Sequence, residues 1–548
     1  MNKRDSYICG AFLAGFLYRA LISLQGIDHI DSGFSNTFFQ NIFAHPETMT
    51  FYFNYYLTGL LGGLWYQLAP TTGMLGFRFL EVSVLTASIF FVYQTFKQQF
   101  THTGYVLVAI LVSFLFPNIV TTLHYNTLTF FFLSLAAWLY AKSLHTKTSL
   151  WLFFTGMALG VCFFVRIVNL ALGVLMLIPM AEAWLAGQRS DAVRRCVSML
   201  AGMATSCAMM FTIMHFLGHL PHFLAGVSEA FGFFGGSETS HASGNLFLVY
   251  FKSYVNILLQ MLALVVLAVL FLRASKTVTR WGLLWKALLA VVAIVLVSTS
   301  LPYLSTIALC TLLCVYALMA DTPRETKGAL AFVMVAAYIF PFGSDIGIPG
   351  IFHWTAGILI IPAVLGVQRV SATLRKAVLV CTLCISVVML WKTLSASYGE
   401  NTPRWQCTAQ VPHSLLNTYT HPAKAAEYLH IISALHSQTI DNHWLVIGNQ
   451  ASELYYATEA LPFLGNTQMG TFMGDVLFRR LDSQVEKYHQ QPVIAFLNTE
   501  EFVFNEAKEM QAQLQQWMNR NHYKKTYDDE YLTIFQPSIK ENHKRLIK

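Results

Sequence analysis

This chain is dominated by a succession of apolar runs, each near the length of a bilayer-spanning helix, with most of its charges in the segments between them. A hydrocarbon core about 30 Å thick takes roughly 20 residues of helix to cross. Inside it the backbone has no water to bond, so each segment must close its own hydrogen bonds, as a helix does. Runs and breakers give about thirteen such segments, at about 7–24, 77–96, 104–118, 127–141, 149–165, 167–186, 196–217, 246–272, 281–300, 303–320, 328–342, 351–367 and 377–395. Composition agrees: 55% of the 548 residues are hydrophobic and 11% charged, less than half the roughly 25% of a soluble domain. A water-soluble fold is excluded, and the expected class is a polytopic α-helical membrane protein.

Lys and Arg collect on the cytoplasmic side of such proteins. With the N-terminus inside, sixteen basic residues, among them Lys3, Arg4, Arg194, Arg195, Arg375 and Lys376, fall on one face, while segments 25–76, 117–126, 218–245 and 343–350 carry neither Lys nor Arg. The net charge of +7 is therefore mainly a topology signal, and no nucleic-acid partner is expected. Everything after residue 395 is placed outside the cytoplasm. The expectation is a multi-pass protein of the cytoplasmic (inner) membrane with a cytoplasmic N-terminus and a periplasmic C-terminal domain. The first run follows Lys3, Arg4 and Asp5 without a small-x-small cleavage site, so it reads as a retained helix. Eight of the nine cysteines lie in or beside apolar runs, where a thiol is a small hydrophobe; no disulfide framework is implied, and Cys381-x-x-Cys384 lacks a second pair.

Segment 25–76 is too long for a turn and rich in aromatic residues, including Phe51 to Tyr56 and Trp65-Tyr66. Such residues favour the headgroup layer, so two helices lying along the outer surface are expected at about 34–44 and 52–68. From about residue 396 the composition becomes that of a small α/β domain, spanning 396–548. It has a helix at 421–436, buried strands at 444–448 and 492–497, a helix at 503–519, and a hairpin of 523–526 with 531–535. The basic tail, Lys540 to Lys548, is expected to be disordered.

After the first run comes Gly26-Ile27-Asp28-His29-Ile30-Asp31-Ser32-Gly33-Phe34. Two carboxylates and a histidine at a membrane surface suit acid/base chemistry, because partial desolvation makes a carboxylate a better base. The other reading is that Asp31 or Ser32 caps the helix starting near Phe34. Three further loops face the same side. His124-Tyr125-Asn126 either binds substrate or caps the next helix through Asn126; Glu229 to Asn245, with Glu238 and His241, is either a mobile cover or a plain polar loop; Asp345 either binds substrate hydroxyls or makes a turn. No Walker loop, zinc signature or Ser-His-Asp motif is present, and Gly62-Gly63 and Gly235-Gly236 lack the strand-to-helix context of phosphate-binding loops.

An outer-face Asp after the first helix, surface helices ending in an aromatic stretch, Gly76-Phe77-Arg78-Phe79-Leu80, Tyr125 to Ala136, and Gly156-x-x-x-Gly160 to Arg166 with Pro179 together resemble the GT-C superfamily of membrane glycosyltransferases. The likeness is to bacterial members related to protein O-mannosyltransferases and lipid A aminoarabinose transferase, and its motifs cover roughly residues 1–190. It implies a GT-C-like fold for 1–395, a polyprenyl-phosphate sugar donor, and a base in the first outer loop. Asp31 best matches that position, with Asp28 second and His29 beside them. Ser32 stands where the family commonly has a second acid, so the resemblance fixes no cofactor and leaves a divalent metal open.

A lipid-phosphate leaving group needs a cation near the outer surface. Arg166, Arg78 and Lys252 are the candidates, because a charge near the end of a spanning helix usually serves something. Arg78 has an alternative in an i,i+3 pair with Glu81, and Lys252 in snorkelling to the headgroups. The function implied is transfer of a sugar from a polyprenyl-phosphate donor to an extracytoplasmic glycan, lipid or protein. A polysaccharide ligase or polymerase, or a lipid-linked-glycan transporter or flippase, is the alternative.

Overall fold

The long apolar runs close their backbone bonds as helices. The computed structural model describes residues 3–117, 119, 121–146, 148–235, 243–275, 285, 288–289, 291–292, 302–400, 402–468, 475–498 and 505–538. The first half of the chain comprises α1 (Lys3–Ile22), α2 (Asp31–Asn41), α3 (Tyr56–Leu68), α4 (Gly73–Phe96), α5 (Thr103–Leu115), α6 (Tyr125–Thr146), α7 (Ser149–Val165), α8 (Leu177–Leu185) and α9 (Arg189–Phe216). Further helices follow at Leu220–Gly235, Ser243–Ser275, Pro302–Met319, Arg324–Ile339 and Ala372–Ser395. Among the described residues eight helices are long and apolar enough to cross a membrane, or nine when the pair Gly347–Thr355 and Gly357–Val367, bent by 83°, counts as one span. The protein is thus a multipass membrane protein; the expected segment at 281–300 lies largely outside the described residues.

The expected helix at 167–186 departs from regular α geometry. Arg166 is extended (φ −158°, ψ 125°) and ends α7, and the chain restarts as a 3₁₀ stretch, Ile167–Met176. The Asn169 amide holds that break, donating to the Cys162 carbonyl at 2.9 Å and to the Thr129 hydroxyl at 2.8 Å. Small residues explain how α7 and α9 come together, since close backbone approach drives helix association in a bilayer. A Cβ on Gly156 would stand 2.0 Å from the Met199 carbonyl oxygen, and one on Gly202 1.9 Å from that of Phe153.

In the first outer segment the two expected helices are present as α2 and α3, with a 3₁₀ turn, Thr50–Tyr55, leading into α3. Several of its aromatic residues are enclosed within the protein. Phe38, Tyr52, Phe53 and Tyr56 are buried against Phe164, Val165, Met210 and Phe223, because α7, α9 and helix Leu220–Gly235 close over them.

After Ser395 the strands are β1 (Ala409–Gln410), β2 (Tyr419–Thr420), β3 (Trp444–Ile447), β4 (Leu461–Pro462), β5 (Val493–Leu497), β6 (Tyr523–Asp528) and β7 (Leu532–Pro537). The larger sheet has the order β4-β3-β5-β7-β6, with β3 parallel to β4 and β5, and β7 antiparallel to β5 and β6. Helices Pro422–Thr439 and Asn505–Arg520 match expectation, whereas Glu453–Thr458 and Asp475–Tyr488 were not expected. The tail Lys540 to Lys548 lies outside the described residues.

Two devices fasten this region to the first outer loop. Buried arginines satisfy carbonyls at the end of α1, where the last helical acceptors have no internal partner: Arg78 donates to Ser23 and Gly26, and Arg404 to Ile22 and Gln25. The second device is close packing of α2 on helix Glu453–Thr458. Asn36 donates to both carboxyl oxygens of Glu453 at 3.2 Å, and a Cβ on Gly33 would lie 2.2 Å from the Glu453 nitrogen. Gly33→Ala is therefore expected to destabilise the protein by about 1–3 kcal/mol, the usual range for overpacking. A melting temperature in detergent equal to that of the wild type would contradict this packing.

Candidate active site

The Asp28-to-Phe34 segment turns from the end of α1 into α2, and its two carboxylates have separate duties. Asp28 is buried and accepts the backbone N–H groups of Ile30 (3.1 Å), Asp31 (3.2 Å) and Ser32 (2.7 Å). Those are the unsatisfied donors of a helix start. The cap expected of Asp31 or Ser32 is therefore made by Asp28, and Ser32 instead accepts the Thr122 N–H at 3.2 Å.

Asp31 is left half-exposed, with Oδ2 accepting the Tyr398 hydroxyl at 2.6 Å. Burial, reinforced by Asp28 and opposed by Tyr398, pushes its carboxyl up to about 7. A carboxylate in that range is ionised in a useful fraction at neutral pH and holds a proton more readily than a free one, which suits a general base.

Aromatic and charged groups from other elements converge beside it. Tyr55, ending the 3₁₀ turn, stacks on Tyr125, the first residue of α6, with centroids 4.3 Å apart. The Arg166 guanidinium lies over the other ring of that pair, 5.6 Å from the Tyr125 centroid. Burial raises the Tyr55 hydroxyl above its ordinary range, with Arg166 opposing and Asp31 and Asp345 adding to the rise, so all three charges act on one phenol. Arg166 is buried, and its Nη1 has no hydrogen-bond partner among the described residues. A buried donor without a partner costs about 1–3 kcal/mol, and charged groups more, so a guanidinium left open here is poised for an anion.

The structure thus gathers Asp31, Tyr125, Arg166 and Asp345, each named from sequence. His124 adjoins them: its ring stacks on Trp354 at 4.8 Å, and its Nδ1 accepts the Asn126 N–H at 3.2 Å. The helix cap expected of Asn126 is accordingly made by His124, while the Asn126 Oδ1 is buried without a partner among the described residues. Burial, with Arg166 adding to it, lowers the His124 imidazole to about 3 and keeps it neutral.

Other candidates lie elsewhere. Arg78 is 1% exposed and committed to the α1 carbonyls, and Glu81 accepts from the His124 N–H and Thr127 instead of pairing with it. His29 packs under Tyr428, rings stacked at 4.9 Å. Lys252 is exposed on helix Ser243–Ser275 and touches none of this group among the described residues. Glu238 and His241 lie outside the described residues. Among those described, no three His, Cys, Asp or Glu side chains are grouped as a metal ion requires.

Sequence reasoning missed Tyr55 and Tyr398. Tyr55 lay in a noted aromatic run, but Tyr398 stands 367 positions from Asp31, beyond the reach of any local pattern.

No protein-family model matches the chain, and no curated protein matches it. Solved structures similar to it include ArnT from Cupriavidus metallidurans bound to undecaprenyl phosphate. That likeness has a TM-score of 0.51 at 11% identity, over 96% of this chain and 98% of that one. ArnT from the same organism in the apo state gives 0.42 at 13% identity, over 97% and 98%. The undecaprenyl phosphate-bound structure establishes a shared fold along nearly the whole chain.

Proposed function

We propose that this protein is an integral membrane glycosyltransferase that moves a sugar from a polyprenyl-phosphate donor to a glycan, lipid or protein on the outer face of the cytoplasmic membrane. One observation carries the reading: Asp31, relieved of capping by Asp28, and Arg166, whose Nη1 has no partner among the described residues, both act on the Tyr55 phenol. Undecaprenyl phosphate bound to a protein of this fold supports the donor class. Residues 1–395 form the catalytic membrane domain in this proposal and 396–548 a periplasmic domain shaping acceptor access.

In the reaction, the acceptor's hydroxyl or amine attacks the anomeric carbon while the bond from that carbon to the phosphate oxygen breaks. Asp31 takes the acceptor's proton, and Arg166 holds the charge gathering on the departing phosphate. Attack opposite the leaving group inverts the anomeric centre. In this reading Asp345, Tyr125, His124 and Asn126 contact the sugar or acceptor, Asp28, His29 and Arg78 hold the loop, and Lys252 has no part.

The test is incubation of the purified protein in vesicles with undecaprenyl-phosphate-linked sugars and extracytoplasmic acceptors. Release of undecaprenyl phosphate coupled to a glycosylated product is expected. Product chains that lengthen by repeated addition would make it a polymerase, and lipid movement without chemistry would make it a transporter.

A further inference from the structure

Resting on Asp31 as the base, we propose that Tyr398 is the positioning residue of that base: its hydroxyl holds Oδ2 and so presents Oδ1 to the acceptor. The hydrogen bond is 2.6 Å long, in the range of a hydroxyl donating to a carboxylate. Among the described residues, Asp31 Oδ1 carries no hydrogen bond, so the two oxygens are unequal, one held and one open.

The tyrosine sits on a fixed backbone. It follows helix Ala372–Ser395 in a turn closed by the Ser397 N–H donating to the Thr402 carbonyl at 2.7 Å. Glu400, two residues on, accepts from Thr420 at 2.6 Å, and Lys424 donates to the Glu400 carbonyl at 2.8 Å. The phenol itself is half-exposed and has no ring partner among the described residues; its bond to Asp31 is its one hydrogen bond there. A tyrosine serving only to pack would be enclosed, and one serving only the turn would bond within it. This one reaches from its turn to Asp31, the one carboxylate of the Asp28-to-Phe34 segment that is not fully buried among the described residues.

The reason for such an arrangement is electrostatic. Asp31 faces Asp28 from its own loop and Asp345 from the turn before helix Gly347–Thr355, and both oppose its ionisation. Tyr55 and Tyr125 stand beside it, and Arg166 is the cation that faces those phenols. A hydroxyl donated to the carboxylate favours the ionised form, which is the form that accepts a proton. The region after Ser395 thereby contributes a side chain to the site.

Carbodiimide labelling tests this without any sugar donor, so its outcome is separate from whether transfer occurs. Dicyclohexylcarbodiimide adds to protonated carboxyls, and peptide mass spectrometry reads the fraction of Asp31 modified across pH. In the wild type, labelling is expected to fall as pH rises, with a midpoint near 7. In Tyr398→Phe, which keeps the ring, the midpoint should move up by about one pH unit, a tenfold change in acidity, for a lost bond to a charged group. A midpoint that stayed put or moved down would overturn the proposal, as would a wild type whose Asp31 resists labelling at every pH. Asp28 is the internal control, shielded by three backbone N–H groups. If Tyr398→Phe exposed Asp28 to the reagent, the tyrosine would be a support of the loop's fold, and the positioning role would be wrong.

Discussion

Asp31→Asn should lower glycosyl transfer by about 10²- to 10⁴-fold, the usual contribution of a positioned general base, while the protein folds as before. The amide is nearly isosteric with the carboxylate, and its oxygen still accepts from Tyr398, so the geometry around Oδ2 survives. What disappears is the ability to take a proton. Affinity for undecaprenyl phosphate should be unchanged, because the phosphate contact assigned to Arg166 is untouched. The pH dependence gives a second signature. With its carboxyl raised to about 7 by burial and by Asp28, Asp31 is protonated and inactive well below that pH, and wild-type transfer should climb about tenfold per pH unit until it levels off above 7. The residual activity of Asp31→Asn should lack that climb. Initial rates from pH 5 to 9 with a lipid-linked sugar decide the matter, and an asparagine variant as fast as the wild type removes Asp31 from the chemistry.

Arg166→Gln should also be severe, with transfer reduced by about 10²- to 10³-fold, as when one stabilising donor is removed from a developing anion. Here weakened binding of undecaprenyl phosphate should accompany the lost rate. The prediction about stability has the opposite sign from the usual one. Arg166 is buried with a nitrogen unsatisfied among the described residues, so a shorter neutral side chain relieves a desolvation cost while giving up the contact with the Tyr125 ring. The variant should melt at or above the wild-type temperature, the pattern of a residue kept for function at some expense of stability. Arg166→Lys should recover part of the binding but less of the rate, because an ammonium lacks the planar fork of the guanidinium. A glutamine variant that melts well below the wild type, with transfer intact, would reassign Arg166 to the fold.

Much of the architecture was legible in the chain because a bilayer leaves few choices. α2, α3, the strands Trp444–Ile447 and Val493–Leu497 and the final hairpin appear close to where periodicity and turn residues put them. The failures have identifiable causes. Helix Glu453–Thr458 is six residues long, too short to show a periodic pattern, and is set by its packing on Gly33 and Asn36. The break at Arg166 is held by Asn169 reaching across to Thr129, a bond 40 positions long.

Candidate residues divide in the same way. Residue type, expected side of the membrane and, for Asp31, the family resemblance were enough to name Asp31, Arg166, Tyr125 and Asp345. They were not enough to separate Asp31 from Asp28 or Arg166 from Arg78, since within each pair the residues are chemically alike. Asp28 turned out to cap a helix and Arg78 to close the end of another, and both decisions depend on which backbone groups lack partners once the helices have met.

That this chain lives in a bilayer, and that its basic residues segregate from an acidic, aromatic first loop, can be read from the order of amino acids alone. Both follow from solvation, which acts on each residue according to its own chemistry. Which acid is relieved of capping, which of Arg78 and Arg166 keeps an unpartnered terminal nitrogen among the described residues, and the bond from Tyr398 to Asp31 emerge from the folded arrangement. Those are properties of pairs brought together by packing, and no single stretch of chain carries them.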